Sequence, residues 1–281
     1  MDRTIRRIKD NDPALTELDF SRLVPFVAPE SLEEFVAALA GNQTITSVIL
    51  FFRFLLKLKK YEQIKLCQAI GSLPNLQSLR FGSSGLSGLP LRLLVEILMM
   101  MTTKTRQPQL QSLTIHSIHL RDNVFYKNPK SSNTEDEDYL EFLHALRQQS
   151  HLETLCLLDV EESFDLDSVV GVVVTLPNLK HLTMQSYSRY NQRLTRTSLD
   201  RLFACLTIQS LSLQRLRLVT ILPEALLSLQ NNTTLQKLSL SQNGMNFECG
   251  MAIAHVLSTN RVLTDVNLGF NEIPDECGSA L

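Results

Sequence analysis

The chain has 281 residues, of which 44% are hydrophobic, and its formal net charge is −2. A nearly neutral chain carries no global field that would attract nucleic acid or an anionic membrane surface, so neither is predicted as a partner. A membrane-spanning helix is not predicted either, because the most apolar stretch, residues 45–58, is interrupted by Arg53 and Lys57.

The first ten residues lack the apolar run of a signal peptide, so we predict a protein that is not secreted and resides in the cytoplasm or the nucleus. The five cysteines are odd in number and not closely paired, which favours reduced thiols over disulfides. The N-x-T sequons at Asn42, Asn231 and Asn232 are then predicted to be turn residues and not glycosylation sites.

A short core of the form L-x-x-L-x-L, with apolar residues at its three anchor positions, recurs along the whole chain. Six of the eight intervals between first anchors lie within 27–31 residues, and the fourth interval is 42. Each core alternates apolar and polar residues, which predicts a strand with one buried face. The nine cores have the anchors Leu15, Leu18, Phe20; Ile45, Val48, Leu50; Leu76, Leu79, Phe81; Leu110, Leu113, Ile115; Leu152, Leu155, Leu157; Leu179, Leu182, Met184; Ile208, Leu211, Leu213; Leu235, Leu238, Leu240; and Leu263, Val266, Leu268.

Between the cores the apolar period changes from two to three or four residues. This change is clearest at 31–39, 199–206, 222–229 and 251–257. One apolar stripe on each segment predicts an amphipathic helix that packs against the strands of its own and neighbouring repeats. The sequence therefore predicts one α/β domain, 1–281, built from about nine strand–helix repeats.

Two segments depart from this regularity. The long fourth interval contains the polar, acidic run 127–138, which we predict to be a flexible insertion loop because it cannot bury enough apolar surface to order itself. A docking site for a basic partner or a phosphorylation site is the alternative for this run. The segment 49–58 is too apolar for an ordinary strand exit, and it is either part of a wider helical side or an exposed apolar patch.

The last two repeats match each other position by position at an offset of 28 residues. Leu235-Gln-Lys-Leu-Ser-Leu-Ser-Gln-Asn243 corresponds to Leu263-Thr-Asp-Val-Asn-Leu-Gly-Phe-Asn271, and both then carry Glu-Cys-Gly. The pattern resembles the leucine-rich repeats of the ribonuclease-inhibitor-like class. This resemblance implies a curved solenoid of right-handed strand–helix repeats, with a parallel sheet on the concave face and helices on the convex face. It also implies that Asn243 and Asn271 bridge backbone groups in the turns between strand and helix.

Neither end of the array has an obvious polar capping unit, although residues 2–12 could partly shield the first repeat. The last repeat stops at Leu281 before its helical half is complete, so we predict that it is truncated there.

The strand residues between anchors point away from the core, toward the predicted concave face. This face is mostly small and polar, with acidic residues on the first strand and apolar points on the second and fifth. We predict that it binds a protein partner through Glu17, Asp19, Ile49, Phe51, Arg80, Thr114, His116, Cys156, Leu158, His181, Gln185, Gln214, Lys237, Asp265 and Asn267.

The sequence contains no motif for catalysis, phosphate binding or a metal site. His116 and His119 are the only closely spaced histidines, and they lack supporting cysteine or carboxylate ligands. We therefore predict no enzyme activity, no cofactor and no small-molecule substrate.

The first hypothesis is a protein–protein interaction scaffold. The alternatives are a GTPase-activating protein, because Ran GTPase activators look similar at the level of the repeats, and the substrate-recognition arm of a ubiquitin ligase.

Overall fold

The computed structural model describes residues 2–22, 32–55, 57–82, 89–102, 110–116, 118–119, 132–159, 164–186 and 194–280. By its internal contacts the chain divides into two compact units, Met1–Leu152 and Glu153–Leu281. The prediction of a single domain therefore stays a prediction, and the two units are described separately.

The first unit alternates helices and strands in the order α1 (Asp2–Lys9), β1 (Glu17–Asp19), α2 (Leu32–Ala40), β2 (Ser47–Phe51), α3 (Phe52–Leu55), α4 (Lys60–Gly71), β3 (Ser78–Gly82), β4 (Leu89–Pro90), α5 (Leu91–Thr102), β5 (Ser112–His116), β6 (Ile118–His119) and α6 (Ser132–Arg147). Strands β1, β2, β3 and β5 are parallel neighbours in that order, and β4 pairs in parallel with β6.

The second unit continues the alternation with β7 (Thr154–Leu158), α7 (Leu166–Val173), β8 (His181–Gln185), α8 (Arg196–Phe203), β9 (Ser210–Gln214), α9 (Leu222–Leu226), a 3-10 helix (Leu227–Asn231), β10 (Lys237–Ser239), α10 (Phe247–Thr259), β11 (Asp265–Asn267) and a second 3-10 helix (Asp275–Ala280). Its five strands are parallel and adjacent in chain order.

The nine predicted cores coincide with strands, and their registers place equivalent repeat positions side by side. In the first unit Leu18 pairs with Val48, Val48 with Leu79, and Leu79 with Leu113. The anchors are buried except for Leu15, Leu263, Val266 and Leu268. Parallel strands in repeat register with a helical segment between them confirm the predicted α/β leucine-rich repeat fold.

Within the apolar segment 49–58, residues 49–51 end strand β2, where Ile49 and Phe51 are half-buried, and residues 52–55 form α3. The described apolar side chains that follow the strand are buried. Phe54, Leu55 and Leu58 are between 0 and 6% exposed. The Phe54 ring packs edge-on against Phe20, with the ring centroids 4.8 Å apart, and Phe35 contacts the same ring of Phe20 from another side. The burial of Phe54, Leu55 and Leu58 agrees with the first alternative, a wider helical side, whereas Ile49 and Phe51 on β2 keep part of their apolar surface exposed.

Helix α1 covers the core at the first repeat. Ile5 and Ile8 are buried at 2% and 0% exposure, which follows from their spacing of three on one helical face. At β11 the anchors remain half-buried. That the last repeat is truncated at Leu281 stays a prediction.

The predicted insertion loop, 127–138, agrees only in part with the structure. Residues 127–131 lie outside the described residues, but α6 begins at Ser132, so 132–138 are helical. Asp138 accepts a bond from Arg92 on α5 at 3.3 Å, and Glu141 accepts another at 2.8 Å. Within the described ranges no helix is both long and apolar enough to cross a membrane.

Candidate partner-binding face

The fifteen residues predicted to contact a partner all lie on strands, on the side of each strand opposite to its buried anchors. We call this set the strand face. Exposed members are Glu17, Arg80, His181, Lys237, Asp265 and Asn267. Half-buried members are Asp19, Ile49, Phe51, Thr114, His116, Cys156, Leu158, Gln185 and Gln214.

In the first unit the strand register arranges the strand face in rows. Asp19, Ile49, Arg80 and Thr114 are successive register partners, so an apolar side chain lies between an acidic and a basic neighbour. Adjacent strands are about 4.8 Å apart, which puts the two charged residues within about 10 Å of each other across the row.

The next row of the first unit holds Phe51, Gly82 and His116. A Cβ built on Gly82 would lie 2.6 Å from the Cβ of His116 and 2.7 Å from its carbonyl oxygen. Only glycine therefore fits between the flanking strands here. Phe51 and His116 lie on either side of a position without a side chain.

The two carboxylates of β1 differ in how many hydrogen bonds and ion pairs they already form with nearby residues. Asp19 accepts hydrogen bonds from the backbone N–H and the hydroxyl of Ser21, at 2.9 and 2.6 Å, and pairs with Arg22 at 3.1 Å. Its side chain is only 14% exposed. Glu17 is exposed and accepts one long bond, 3.5 Å, from the Ser47 hydroxyl. Of the two, Glu17 has more capacity to bind an external group.

In the second unit the rows are longer and more polar. Cys156, Thr183, Ser212, Ser239 and Asn267 are successive register partners across all five strands.

The rows on either side of the row from Cys156 to Asn267 have a different composition. One contains His181, Lys237 and Asp265, and the other joins Leu158 to Gln185 and Gln214. Gln214 donates to the Ser212 hydroxyl at 2.8 Å, which fixes its amide on the sheet. The arrangement offers hydrogen-bonding groups at regular strand spacing, with one apolar point at Leu158.

Asn243 and Asn271 occupy the turns that follow β10 and β11. The Asn243 amide donates to the carbonyls of Leu213 and Leu240, at 2.7 and 3.0 Å, and its oxygen accepts from Leu216 N–H at 2.9 Å. Asn271 likewise donates to Leu240 at 3.0 Å and accepts from the backbone N–H of Asn243 at 2.8 Å. Each side chain thus closes its own turn and joins it to the preceding repeat.

Sequence reasoning missed a second set of buried asparagines, in the turns that lead from a helix into a strand. Asn42, Asn232 and Asn260 are 0%, 4% and 6% exposed. The oxygen of Asn232 accepts from the N–H groups of Thr234 and Leu235, and its amide donates to the carbonyl of Phe203 at 2.7 Å.

Asn42 and Asn260 make the same contacts, and each lies three residues before the first anchor of a core. That spacing was the sequence signal that could have found them. Burial also explains the sequons at Asn42 and Asn232, whose side chains are turn residues without access for a glycan. The sequon at Asn231 lies beside them in the same turn, and its side chain is exposed.

The helix side of the first unit contains a cleft of about 690 Å³ between α2, α4 and α5. Its floor is apolar, with Val36, Ala69 and Met100, and its rim carries the ion pair between Glu33 and Lys65 at 3.4 Å. No strand-face residue lines it. No local sequence pattern indicates this cleft, because it depends on small residues that three helices bring together.

The cysteines differ in access. Cys156 is half-buried on the strand face, whereas Cys67 on α4 is fully buried, and burial raises the pKa of the Cys67 thiol far above its usual range. Burial on α10 also raises the pKa of Cys249, which is 0% exposed. In the part of the chain that the structure describes, no three His, Cys, Asp or Glu side chains come close enough together to hold a metal ion.

No family model matches the sequence, and no curated protein matches it. Among solved structures, actin-binding site 2 of leiomodin-1 is similar at 16% identity and a TM-score of 0.43, over 62% of this chain and 87% of that one. The tropomodulin C-terminal domain of Caenorhabditis elegans is similar at 15% identity and a TM-score of 0.41, over 61% and 89%. The leucine-rich repeat protein LegL7 of Legionella pneumophila is similar at 18% identity and a TM-score of 0.47, over 91% and 73%. The likeness is distant, so the leucine-rich repeat fold of this chain rests on its own buried anchors and strand registers.

Proposed function

We propose that the chain is a protein-interaction scaffold that binds a protein partner on the strand face. The observation that carries this proposal is the pair Ile49 and Phe51, which point outward from β2 and are only half-buried. The outward positions at the start of β2, β3 and β5 form a neighbouring row of three serines, Ser47, Ser78 and Ser112. Two large apolar side chains among small polar neighbours match the anatomy of an interface, an apolar centre with a polar rim.

The backbone around this centre is held by parallel pairing on both sides of β2. The backbone of paired strands loses little further freedom when a partner binds, so less of the contact energy is spent on ordering it. The row through Ile49 adds a basic neighbour, Arg80, on one side and the partly used carboxylate of Asp19 on the other. A partner that inserts an apolar side chain between Ile49 and Phe51 and offers an acidic group to Arg80 fits this surface.

The experiment is a pull-down from source lysate with the whole chain and with the variant Ile49→Glu, Phe51→Glu, read by mass spectrometry. We expect at least one specifically captured protein to be lost with the variant. Two buried carboxylates at the centre of an interface typically weaken binding by more than about tenfold.

The matched control is Leu140→Glu, Leu206→Glu. It makes the same chemical change at two exposed leucines, 63% and 65% exposed, that lie outside the strand face. Circular dichroism and urea midpoints establish that both variants are folded. If the strand-face variant is folded and retains every partner, or if the control loses the same proteins, the strand face is not the binding site. A small GTPase among the specific captures would favour the activator hypothesis and is followed by a measurement of GTP hydrolysis.

A further inference from the structure

The turns that follow the strands of the second unit contain a run of unusual backbone conformations. At the eighth position of four repeats a residue other than glycine has a left-handed φ between 55° and 60°. These residues are Asp159, Arg215, Gln242 and Phe270. A side chain in this region is strained relative to glycine, and such positions cluster at sites of function. The chain uses glycine nearby, at Gly244 and Gly269, so glycine fits in these turns but is absent from the eighth position.

Three of these residues form a continuous row, which we call the turn row: Arg215, Gln242 and Phe270. The backbone N–H of Arg215 donates to Ser241 at 3.4 Å, and that of Gln242 donates to Gly269 at 3.1 Å. The turns are therefore joined side by side, as the strands before them are. At about 4.8 Å per strand, the row places Arg215 and Phe270 about 10 Å apart.

The turn row is held rigidly. The guanidinium Nε of Arg215 donates to the side-chain oxygen of Gln242. The oxygen of Asn271 accepts from the backbone N–H groups of Asn243 and Met245, at 2.8 and 3.1 Å, and fixes the turn that carries Phe270. Rigid side chains bind with a smaller entropic loss than mobile ones.

The chemistry of the turn row is apolar at one end and basic at the other. Phe270 is 87% exposed, more than any other large apolar side chain in the described part of the chain. At the opposite end Arg215 is followed by Arg217, which is exposed and also has a left-handed φ of 52°. Exposed aromatic and arginine side chains are the residue types that most often carry binding energy at interfaces.

We propose that the turn row binds an extended, acidic segment of a partner protein, with a carboxylate on the arginine end and an apolar side chain on Phe270. An extended peptide rises about 3.3 Å per residue, so a distance of about 10 Å corresponds to about three residues. The ligand is thus defined by an acidic residue and an apolar residue three positions apart. The turn row shares no residue with the strand face, and this proposal does not depend on the proposed function.

Single-stranded nucleic acid is the other polymer that uses arginine and aromatic side chains, and the surroundings disfavour it. Nucleic-acid channels carry basic groups along the whole path of the backbone and several aromatic platforms. Here the basic groups are confined to one end of the row, and Glu272, which is exposed and two residues from Phe270, would repel a phosphate backbone that passed over the ring.

The test is a fluorine NMR titration of the 281-residue chain with short Ser/Gly-rich peptides that contain 4-fluorophenylalanine. The matched peptide has two glutamates ending three residues before the fluorinated ring. A second peptide has the glutamate adjacent to the ring, and a third replaces both glutamates with lysine. We expect the matched peptide to bind about tenfold more tightly than either of the others, and its affinity to fall as sodium chloride is added.

The variants Phe270→Ser and Arg217→Gln are each expected to weaken the matched peptide about fivefold or more. Phe247→Ser is the matched control, because it removes an equally large ring that is 49% exposed at the start of α10. Retained affinity in Phe270→Ser, equal affinity for all three peptides, equal loss in the control, or no binding would each overturn the proposal. Tighter binding of a twelve-residue oligothymidylate than of the matched peptide would overturn it in favour of nucleic acid.

Discussion

Replacing Asn243 with alanine tests whether the asparagine side chains hold adjacent repeats together. The side chain is 2% exposed and serves the N–H of Leu216 and the carbonyl of Leu213 in the preceding repeat. The Leu240 carbonyl keeps a partner, because Asn271 also donates to it. Two buried backbone groups are thus left without partners, at about 1–3 kcal/mol each, so we expect a loss of about 3 kcal/mol in the free energy of unfolding.

The measurement is equilibrium urea unfolding followed by circular dichroism. With a slope of about 2–3 kcal/mol per molar urea, the midpoint should fall by about 1 M. Asn271→Ala is the comparison, since that side chain is half-buried and water can replace part of its bonding. We expect a shift less than half as large for it. A loss below about 1 kcal/mol in Asn243→Ala, or a larger loss in Asn271→Ala, would refute the assignment of buried, unreplaced hydrogen bonds to Asn243.

Three further predictions concern packing, a buried amide and thiol access. Gly250→Ala should destabilise the fold by about 1 kcal/mol, because the new methyl group meets Cys277 Sγ at 2.6 Å and this crowding outweighs the gain in helix propensity. At Gly278→Ala the new methyl group has nothing within 4 Å, so this change should cost nothing. Thermal unfolding of the two variants compares them directly. Gln149→Asn should raise the urea midpoint by the equivalent of about 1 kcal/mol. Gln149 is fully buried, and its side-chain oxygen lacks a hydrogen-bond partner among the described residues, whereas asparagine at the equivalent position of other repeats bonds two backbone N–H groups. An unchanged or lower midpoint would contradict this. Cys156 should react first with an aromatic disulfide reagent and Cys67 only on unfolding, because burial raises the pKa of Cys67 and keeps its thiol protonated. The contribution of the protonated Cys67 thiol to the free energy of unfolding is complete below the ordinary thiol pKa and is lost as the pH rises above it. Mass spectrometry of the labelled peptides reads the order of labelling, and early labelling of Cys67 would count against the prediction.

The fold could be predicted from the sequence because one physical signal recurs. Each core alternates apolar and polar residues, and the apolar side must be buried whichever partner it finds. Burial of the anchors follows from that alternation in every repeat except at Leu15 and in the last repeat, whose three anchors are half-buried. The helical stripes follow from the same logic with a different period.

The features that sequence missed depend on distances between repeats. Composition alone suggested a flexible loop at 127–138, but 132–138 are helical, and Asp138 pairs with Arg92 forty-six residues away. Gly250 and Gly278 occupy equivalent positions in the last two repeats. Only Gly250 is crowded, because its neighbours belong to the next repeat.

The candidate site was predictable in position but not in chemistry. Alternation shows which side chains of a strand face outward, and all fifteen predicted residues do. It does not show that the carboxylate of Asp19 is already used by Ser21 and Arg22, or that left-handed turns present Phe270. Such facts depend on local backbone geometry that no apolar period encodes.

The side-chain amides of the turn asparagines all donate in the same direction along the array. Asn232, Asn243, Asn260 and Asn271 each donate to a carbonyl of the repeat before their own, and Asn42 reaches back to Ile8 in the same way. A repeat is therefore completed by the one that follows it in the chain. Loss of one asparagine leaves a backbone carbonyl of the preceding repeat without that partner, so within each unit mechanical or chemical damage should spread toward the beginning of the chain and not toward its end.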